Sequence, residues 1–314
     1  MKKQNLLVIL GPTAAGKTAL SIELARKLNG AIISADSMQI YKHMDIGTAK
    51  PSLEEMKDIT HYLIDNVNPN TDYSVALYQK EAQKYINKIN YDGKLPILVG
   101  GTGLYINSII YNMDFTDTIS NKNLRRKLQE EACKYGNEYI HNKLKQIDPE
   151  VAKRIHHNNV KRVIRAIEVY SESGKSIGDF RKSLTTNNLY NCILIGITRD
   201  RKELYDRINK RVDLMIENGL VEEVRGLLKL GYKEDLIAFK GLGYKEIIMY
   251  LSGNCTLEEA IKILKKDTRR YAKRQLTWFK RLDNVIWYNL SEHSSEENLI
   301  NNIKEYVEGK FNIL

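Results

Sequence analysis

Five apolar residues in a row, Leu6 to Leu10, give way to a polar, glycine-bearing stretch and then to Leu20, Leu24 and Leu28, spaced four apart. A short continuous apolar run predicts a buried strand, and leucines at that spacing predict one face of a helix. Asn29-Gly30 supplies the helix stop. "AIISAD" predicts a second buried strand, ending at Asp36. A helix-like stretch runs from near Tyr73 to Ile89, a turn falls at "DGK", and "LPILVGG" predicts a strand feeding the glycine-rich turn "GGTGLY". Strands alternating with helices predict a parallel sheet covered on both faces.

The pattern changes near Phe115. From Asn121 to about Tyr170 the text is helical and basic, and "NCILIGITRD" then restores an apolar strand. This predicts a helical insertion at 116–185 within an α/β core formed by 1–115 and 186–314. The last third is mostly helical. Thr256 and Glu259 form a capping box at the start of a long helix. Leu264, Tyr271, Trp278 and Leu282 are expected along one face of it, and Lys262, Lys266, Arg269, Arg270 and Lys273 along another. "DNVIWYNL" predicts a final strand.

Composition narrows the class. With 314 residues, 42% apolar and 28% charged, the chain fits a globular protein with a sizeable core. Its apolar runs fall well short of the ~20 residues of a membrane-spanning helix. The opening "MKKQNLLVILG" has a signal-like start, but its apolar core is too short and runs into a phosphate-binding pattern. Cys133, Cys192 and Cys255 are scattered and odd in number, which argues against a disulfide framework or a cysteine zinc site and favours a reducing cytoplasm. The net charge of +10 is clustered, and clustering points to an anionic partner.

The chemistry begins at "GPTAAGKT". Gly11, Pro12, Thr13, Ala14, Ala15, Gly16, Lys17 and Thr18 satisfy the phosphate-loop pattern G-x-x-x-x-G-K-[ST], with a strand before and a helix after. Backbone N–H groups and the helix N-terminus suit phosphate oxygens, Lys17 adds charge, and the Thr18 hydroxyl suits Mg²⁺. The motif identifies phosphate and leaves adenosine open. "LPILVGG" ends in glycines, without the metal-holding acid of a triphosphatase. Asp36 ends the strand after the loop helix, so chain order places it near the loop's mouth, as a base facing an acceptor or as a turn cap. The polar stretch Ala35–Pro51 follows a strand's carboxyl end, where open α/β sheets bind ligands. Its Gln39 has the donor and acceptor to read an adenine edge.

Seven ordered segments carry a resemblance: "GPTAAGKT", "ISADSMQIYKHMDIGTAKP", "HYLID", "LVGGTGLY", "VKRVIRAIEVY", "GLGYKE" and "RRYAKRQLTWFKR". Together they resemble the tRNA dimethylallyltransferases, the bacterial tRNA isopentenyltransferase family, from near residue 6 to about residue 288. The resemblance implies a phosphate-loop NTPase-like α/β core, with a parallel sheet flanked by helices, plus an all-helical insertion. It implies transfer of a dimethylallyl group from dimethylallyl diphosphate to N6 of the adenine 3′ of the tRNA anticodon, with release of pyrophosphate. The loop, Gly11 to Thr18, would then hold a diphosphate, with Mg²⁺ at Thr18. By the family pattern Asp36, Thr102 and Arg211 are catalytic, and Arg207, one helical turn from Arg211, is expected to assist it. Asp36, Ser37, Met38, Gln39, Thr102, Arg125, Lys161, Arg162, Val163, Ile164 and Arg165 match positions that meet tRNA. An adenine in a folded anticodon loop must be extruded to reach such a site. A cytoplasmic monomer without membrane attachment is expected.

Two other readings share some of these features. A small-molecule kinase of the shikimate-kinase type would share the loop and an acidic acceptor site, but needs no basic helical insertion. A nucleotide-switched RNA-binding protein would need no turnover.

Overall fold

The computed structural model describes residues 3–113, 115, 121–176, 185–293 and 295–313. They divide into two compact units, Met1–Ile110 with Asn188–Leu314, and Tyr111–Asn187.

The first unit is built on one sheet. In chain order its elements are β1 (Gln4–Leu10), α1 (Lys17–Lys27), β2 (Gly30–Ser34), α2 (Leu53–Met56), β3 (His61–Tyr62), α3 (Val75–Tyr91), β4 (Leu95–Gly100) and α4 (Gly103–Ile110). The second unit supplies α5 (Lys122–Tyr135), α6 (Asn137–Ile147), α7 (Pro149–Ala152) and α8 (Val160–Ser173). The first unit resumes with β5 (Tyr190–Thr198), α9 (Arg201–Glu217), α10 (Leu220–Lys229), a 3₁₀ turn (Ala238–Lys240), α11 (Tyr244–Leu251), α12 (Leu257–Phe279), β6 (Val285–Asn289) and α13 (Glu296–Phe311).

All strand pairs are parallel, in the order β3-β2-β4-β1-β5-β6. The central strands are apolar because both faces are covered: β2 and β4 are buried along their whole length. β1 leads towards β2 on one side, while β4 leads towards β5 on the other. The carboxyl ends of the adjacent β1 and β4 thus form a switch point, where open α/β sheets bind ligands.

β2 does not lie beside β1, because β4 is between them. Gly100 makes this layout possible: a Cβ there would sit 2.2 Å from the Ala35 carbonyl oxygen. The buried face of α12 also differs from expectation. It consists of Ala260, Leu264, Thr268, Ala272, Gln275 and Phe279, while Tyr271 and Trp278 are only half-buried and Leu282 lies beyond the helix. The capping box is present, with the Glu259 amide donating to Thr256 Oγ1 at 3.2 Å and the Thr256 amide to Glu259 Oε2 at 2.9 Å.

The second unit has its own core, which includes Leu128, Ile140, Leu144, Val151, Val163, Ile164 and Ile167. An antiparallel bridge between Tyr111 and Thr186 joins its chain ends. Residue 116, expected as the first of the insertion, lies outside the described residues. Among the described residues no helix is long and apolar enough to cross a membrane.

Candidate active site

The loop after β1 is shaped by backbone constraints. A Cβ on Gly11 would sit 2.2 Å from the Ile197 carbonyl oxygen, so only glycine fits against β5. Ala14 (φ 63°) and Gly16 (φ 108°) adopt left-handed conformations that turn the chain into α1. No side chain caps the N-terminus of α1, so its first-turn N–H groups face the loop as a ready anion site.

Cations converge on this loop from the second half of the chain. Arg199 Nε donates to the Ala15 carbonyl at 3.0 Å, Arg207 Nε to the Ala14 carbonyl at 3.0 Å, and Arg211 Nη1 to Thr13 Oγ1 at 3.1 Å. Lys17 Nζ donates to the Pro12 carbonyl at 2.8 Å. Burial, then the Arg211 charge, lower the Lys17 pKa to about 8, against an opposing pull from Asp36. A cavity of about 1010 Å³ opens beside the loop, lined in part by Gly16, Lys17, Thr18, Arg207, Lys210 and Arg211. Asp36, Gln39 and Thr102 are not in its lining. Asp36 is linked to the loop by its charge, which acts on both Lys17 and Arg211.

The acceptor side is assembled from the ends of β2 and β4. Asp36 Oδ1 accepts the Met38 amide at 2.9 Å, closing a tight turn. Thr102 Oγ1 accepts the Ser37 amide at 3.0 Å and lies 3.2 Å from Ser37 Oγ. Three tyrosines feel the Asp36 charge: Tyr78, Tyr105 and Tyr271. Tyr78 and Tyr105 are buried and stacked, with ring centroids 3.9 Å apart. Tyr271 is within hydrogen-bond reach of Thr102 and Gln275, and burial followed by Asp36 pushes its phenol up to about 12.

Gln39 has a different setting from the one its chemistry suggested. Its Oε1 accepts from Ser34 Oγ at 3.2 Å, and its Nε2 points at the Thr48 and Ala49 carbonyls at 3.4 and 3.3 Å. Both ends of the amide brace the Ala35–Pro51 loop. The same loop is held by Glu223, whose carboxylate accepts the Asp45, Ile46 and Gly47 amides at 2.8, 2.7 and 3.1 Å and the Tyr244 hydroxyl at 2.7 Å. "GLGYKE" thereby acquires a structural role through Tyr244.

In the second unit the expected RNA contacts separate into two groups. Lys161 and Arg162 are exposed on α8 and have no ion pair among the described residues. Val163 and Ile164 are 0% and 4% exposed, and their side chains pack in the unit's core. Arg125 Nε and Arg165 Nη1 both hold the buried Glu168 carboxylate, at 2.7 and 2.5 Å, and the Asn121 amide adds a third bond at 2.9 Å. Burial alone would raise the Glu168 pKa, but the Arg125 and Arg165 hydrogen bonds and the Asn121 amide hold it below the usual carboxylate value. The two arginines remain 43% and 31% exposed, so each has only part of its guanidinium open to a partner.

Gln275 and Arg199 were not selected from the sequence, and Tyr271 was expected only as part of a helix face. The only signal for Gln275 and Arg199 was their place in or near the basic segments, where each reads as one more polar side chain.

A β1–loop–α1 unit at a sheet switch point, with cations over the loop and a carboxylate nearby, defines an α/β enzyme of the phosphate-loop class. The sequence profile described as IPP transferase matches residues 39–282. The chain belongs to the IPP transferase family. It is 64% identical over 312 residues to a tRNA dimethylallyltransferase of Alkaliphilus oremlandii, covering 99% of this chain and all of that one. A solved tRNA isopentenylpyrophosphate transferase of Bacillus halodurans is 45% identical, with a TM-score of 0.75 and coverage of 99% of this chain and 97% of that one. A eukaryotic dimethylallyltransferase solved acting on tRNA is 28% identical, with a TM-score of 0.83, covering 98% of this chain and 80% of that one.

Proposed function

We propose that this chain is a tRNA dimethylallyltransferase. It transfers the dimethylallyl group of dimethylallyl diphosphate to N6 of the adenine 3′ of the tRNA anticodon. The allylic C–O bond breaks, the N6–C bond forms, the amine gives up a proton, and pyrophosphate leaves. One observation carries the reading: a complete phosphate loop with a carboxylate in charge range of it at Asp36, while neighbouring β4 ends in glycines rather than an acid. That arrangement suits a diphosphate leaving group and an amine acceptor.

In this reading the Gly11–Thr18 loop and the N-terminus of α1 hold the pyrophosphate portion. Lys17 and Arg211 offset the negative charge that grows on it as the C–O bond breaks, when such preorganised charges act most strongly. Asp36 accepts the N6 proton, and Thr102 fixes the Ser37 turn beside it. Among the described residues no group of three or more His, Cys, Asp or Glu could hold a metal, while Thr18 stands in the first turn of α1 and lines the cavity beside the loop. These residues fit a Mg²⁺ that arrives on the diphosphate, since Mg²⁺ favours phosphate oxygens and water over an all-protein cage. Thr18 would hold it, and it would add charge stabilisation at the leaving group. Lys161 and Arg162 hold RNA phosphates, and Arg125 and Arg165 do so with their uncovered edges.

Nucleoside mass spectrometry of unmodified tRNA incubated with the protein and dimethylallyl diphosphate tests the reading. A dimethylallyl mass gain on adenosine is expected. Phosphorylation of a small molecule by ATP, with no change to the tRNA, would establish the kinase alternative.

Two further outcomes are expected. Pyrophosphate adds negative charge beside Lys17, so binding raises the Lys17 pKa from about 8 and draws in a proton. Affinity should therefore fall as pH rises above about 8, by up to about tenfold per unit from this group. Calorimetry in buffers of different ionisation enthalpy should detect the uptake, and Lys17→Arg should abolish it. Equal proton uptake by wild type and variant would assign the titration elsewhere. For RNA, Arg162→Ala should lower the slope of log affinity against log salt by about one. Arg125→Ala should lower it less, because Glu168 already takes part of its charge. Equal slopes for wild type and both variants would remove α8 from the interface.

A further inference from the structure

Thr13 and Gly101 belong to different halves of the proposed site. Thr13 lies in the phosphate loop, and its hydroxyl accepts from Arg211. Gly101 begins the turn that carries Thr102, whose hydroxyl holds the Ser37 amide next to Asp36. A single side chain joins them. Gln275 of α12 accepts the Thr13 N–H on Oε1 at 2.9 Å and donates from Nε2 to the Gly101 carbonyl at 2.9 Å. It is 5% exposed and stands on the buried face of the helix.

The fit around this amide is tight. A Cβ on Gly101 would lie 2.2 Å from Gln275 Nε2, so the turn has no side chain where the amide passes. Tyr271 stands one turn earlier on α12. Burying a primary amide is costly unless its donor and acceptor are used. Here one N–H and the carbonyl oxygen are satisfied by backbone groups from the two loops. An apolar side chain of the same size would fill the space and leave the Thr13 N–H and Gly101 carbonyl free to shift apart.

We infer that Gln275 is a positioning residue that sets the distance between the diphosphate loop and the Asp36–Thr102 acceptor turn. The inference rests on the transfer reaction proposed above. The Gln275 amide is engaged by the backbone of the two loops. It acts through Thr13 on the leaving-group side and through Gly101–Thr102 on the acceptor side. A transfer in which one bond breaks as another forms depends on that spacing, and a misplacement of 1 Å can cost about 10²-fold in rate.

The test is single-turnover transfer with labelled dimethylallyl diphosphate and unmodified tRNA. Wild-type protein is measured first, because failure of wild type to transfer label removes the proposed function itself. With wild type active, Gln275→Met should transfer roughly 30- to 100-fold more slowly. Its affinities for pyrophosphate and for tRNA should stay within a factor of about three of wild type. In a Thr102→Val background the same substitution should cost less, since both changes act on one turn and cannot add fully. Should Gln275→Met not fold, Gln275→Asn carries the test: it keeps a neutral amide but is one methylene too short to hold Thr13 and Gly101 together, and should also slow transfer without weakening pyrophosphate binding. Wild-type rates in the folded variant, a loss explained wholly by weaker binding of either ligand, or full additivity with Thr102→Val would each overturn the inference.

Discussion

Asp36→Asn is expected to lower turnover by about 10²-fold or more while leaving tRNA affinity close to wild type. The substitution is narrow. Asp36 Oδ1 accepts the Met38 amide, and an asparagine carbonyl can accept the same bond and keep the turn. What disappears is the charge and the capacity to take a proton from the adenine amine, whose lone pair is delocalised into the ring. A second effect has a definite sign. The Asp36 charge raises the Lys17 pKa, so its loss should move that group lower still. The pH above which pyrophosphate affinity declines should then shift downward in the variant. Near-normal single-turnover rates would reduce Asp36 to a turn cap.

Lys17→Met should cost about 10²- to 10³-fold in turnover, the range seen when one preorganised donor to a developing anion is removed. Lys17 is half-buried beside Arg211, and that setting already holds its pKa at about 8. The growing negative charge of the leaving group is what this ammonium is placed to meet. The loss should exceed the loss in affinity for intact dimethylallyl diphosphate, because the charge on the diphosphate is greater as the C–O bond breaks. Comparison of kcat with the Kd of dimethylallyl diphosphate measures this difference. Parallel losses in both would make Lys17 a binding group only. tRNA affinity should change little, since the expected RNA cations Lys161 and Arg162 lie in the other unit.

Much of this site was legible because its parts are contiguous. The loop Gly11–Thr18 carries its chemistry in eight consecutive residues, and the apolar runs on either side of it fix strand and sheet class. Asp36 stood out as the acid ending an apolar strand. Its neighbourhood did not follow from chain order, since sheet order depends on which strands pair at long range and β4 entered between β1 and β2. Gln275 was not legible. Thr13 lies 262 positions away from it, and a glutamine in a basic helix reads as a solvated polar residue until both of its partners are located. Gln39 illustrates the reverse problem. Its donor and acceptor were recognised, but the sequence could not say that Ser34 and the loop carbonyls engage them. For Val163 and Ile164 the local signal pointed to the core: Val160, Val163, Ile164 and Ile167 have the i, i+3, i+4, i+7 spacing of a buried helix face. Family resemblance named the whole segment as RNA-contacting, while helix geometry divides it, with Lys161 and Arg162 outward and the two aliphatic side chains inward.

The central claim is that the phosphate loop holds a diphosphate leaving group whose carbon portion goes to adenine N6. Dimethylallyl diphosphate carrying one radiolabel on the allyl carbons and another on phosphorus tests it most directly. After incubation with unmodified tRNA and Mg²⁺, the carbon label should appear in the RNA, on the adenine 3′ of the anticodon. The phosphorus label should appear in pyrophosphate, in equal amount. Phosphorus label in the RNA or in any product other than pyrophosphate, or no carbon label in RNA while ATP supports phosphoryl transfer, would contradict the account.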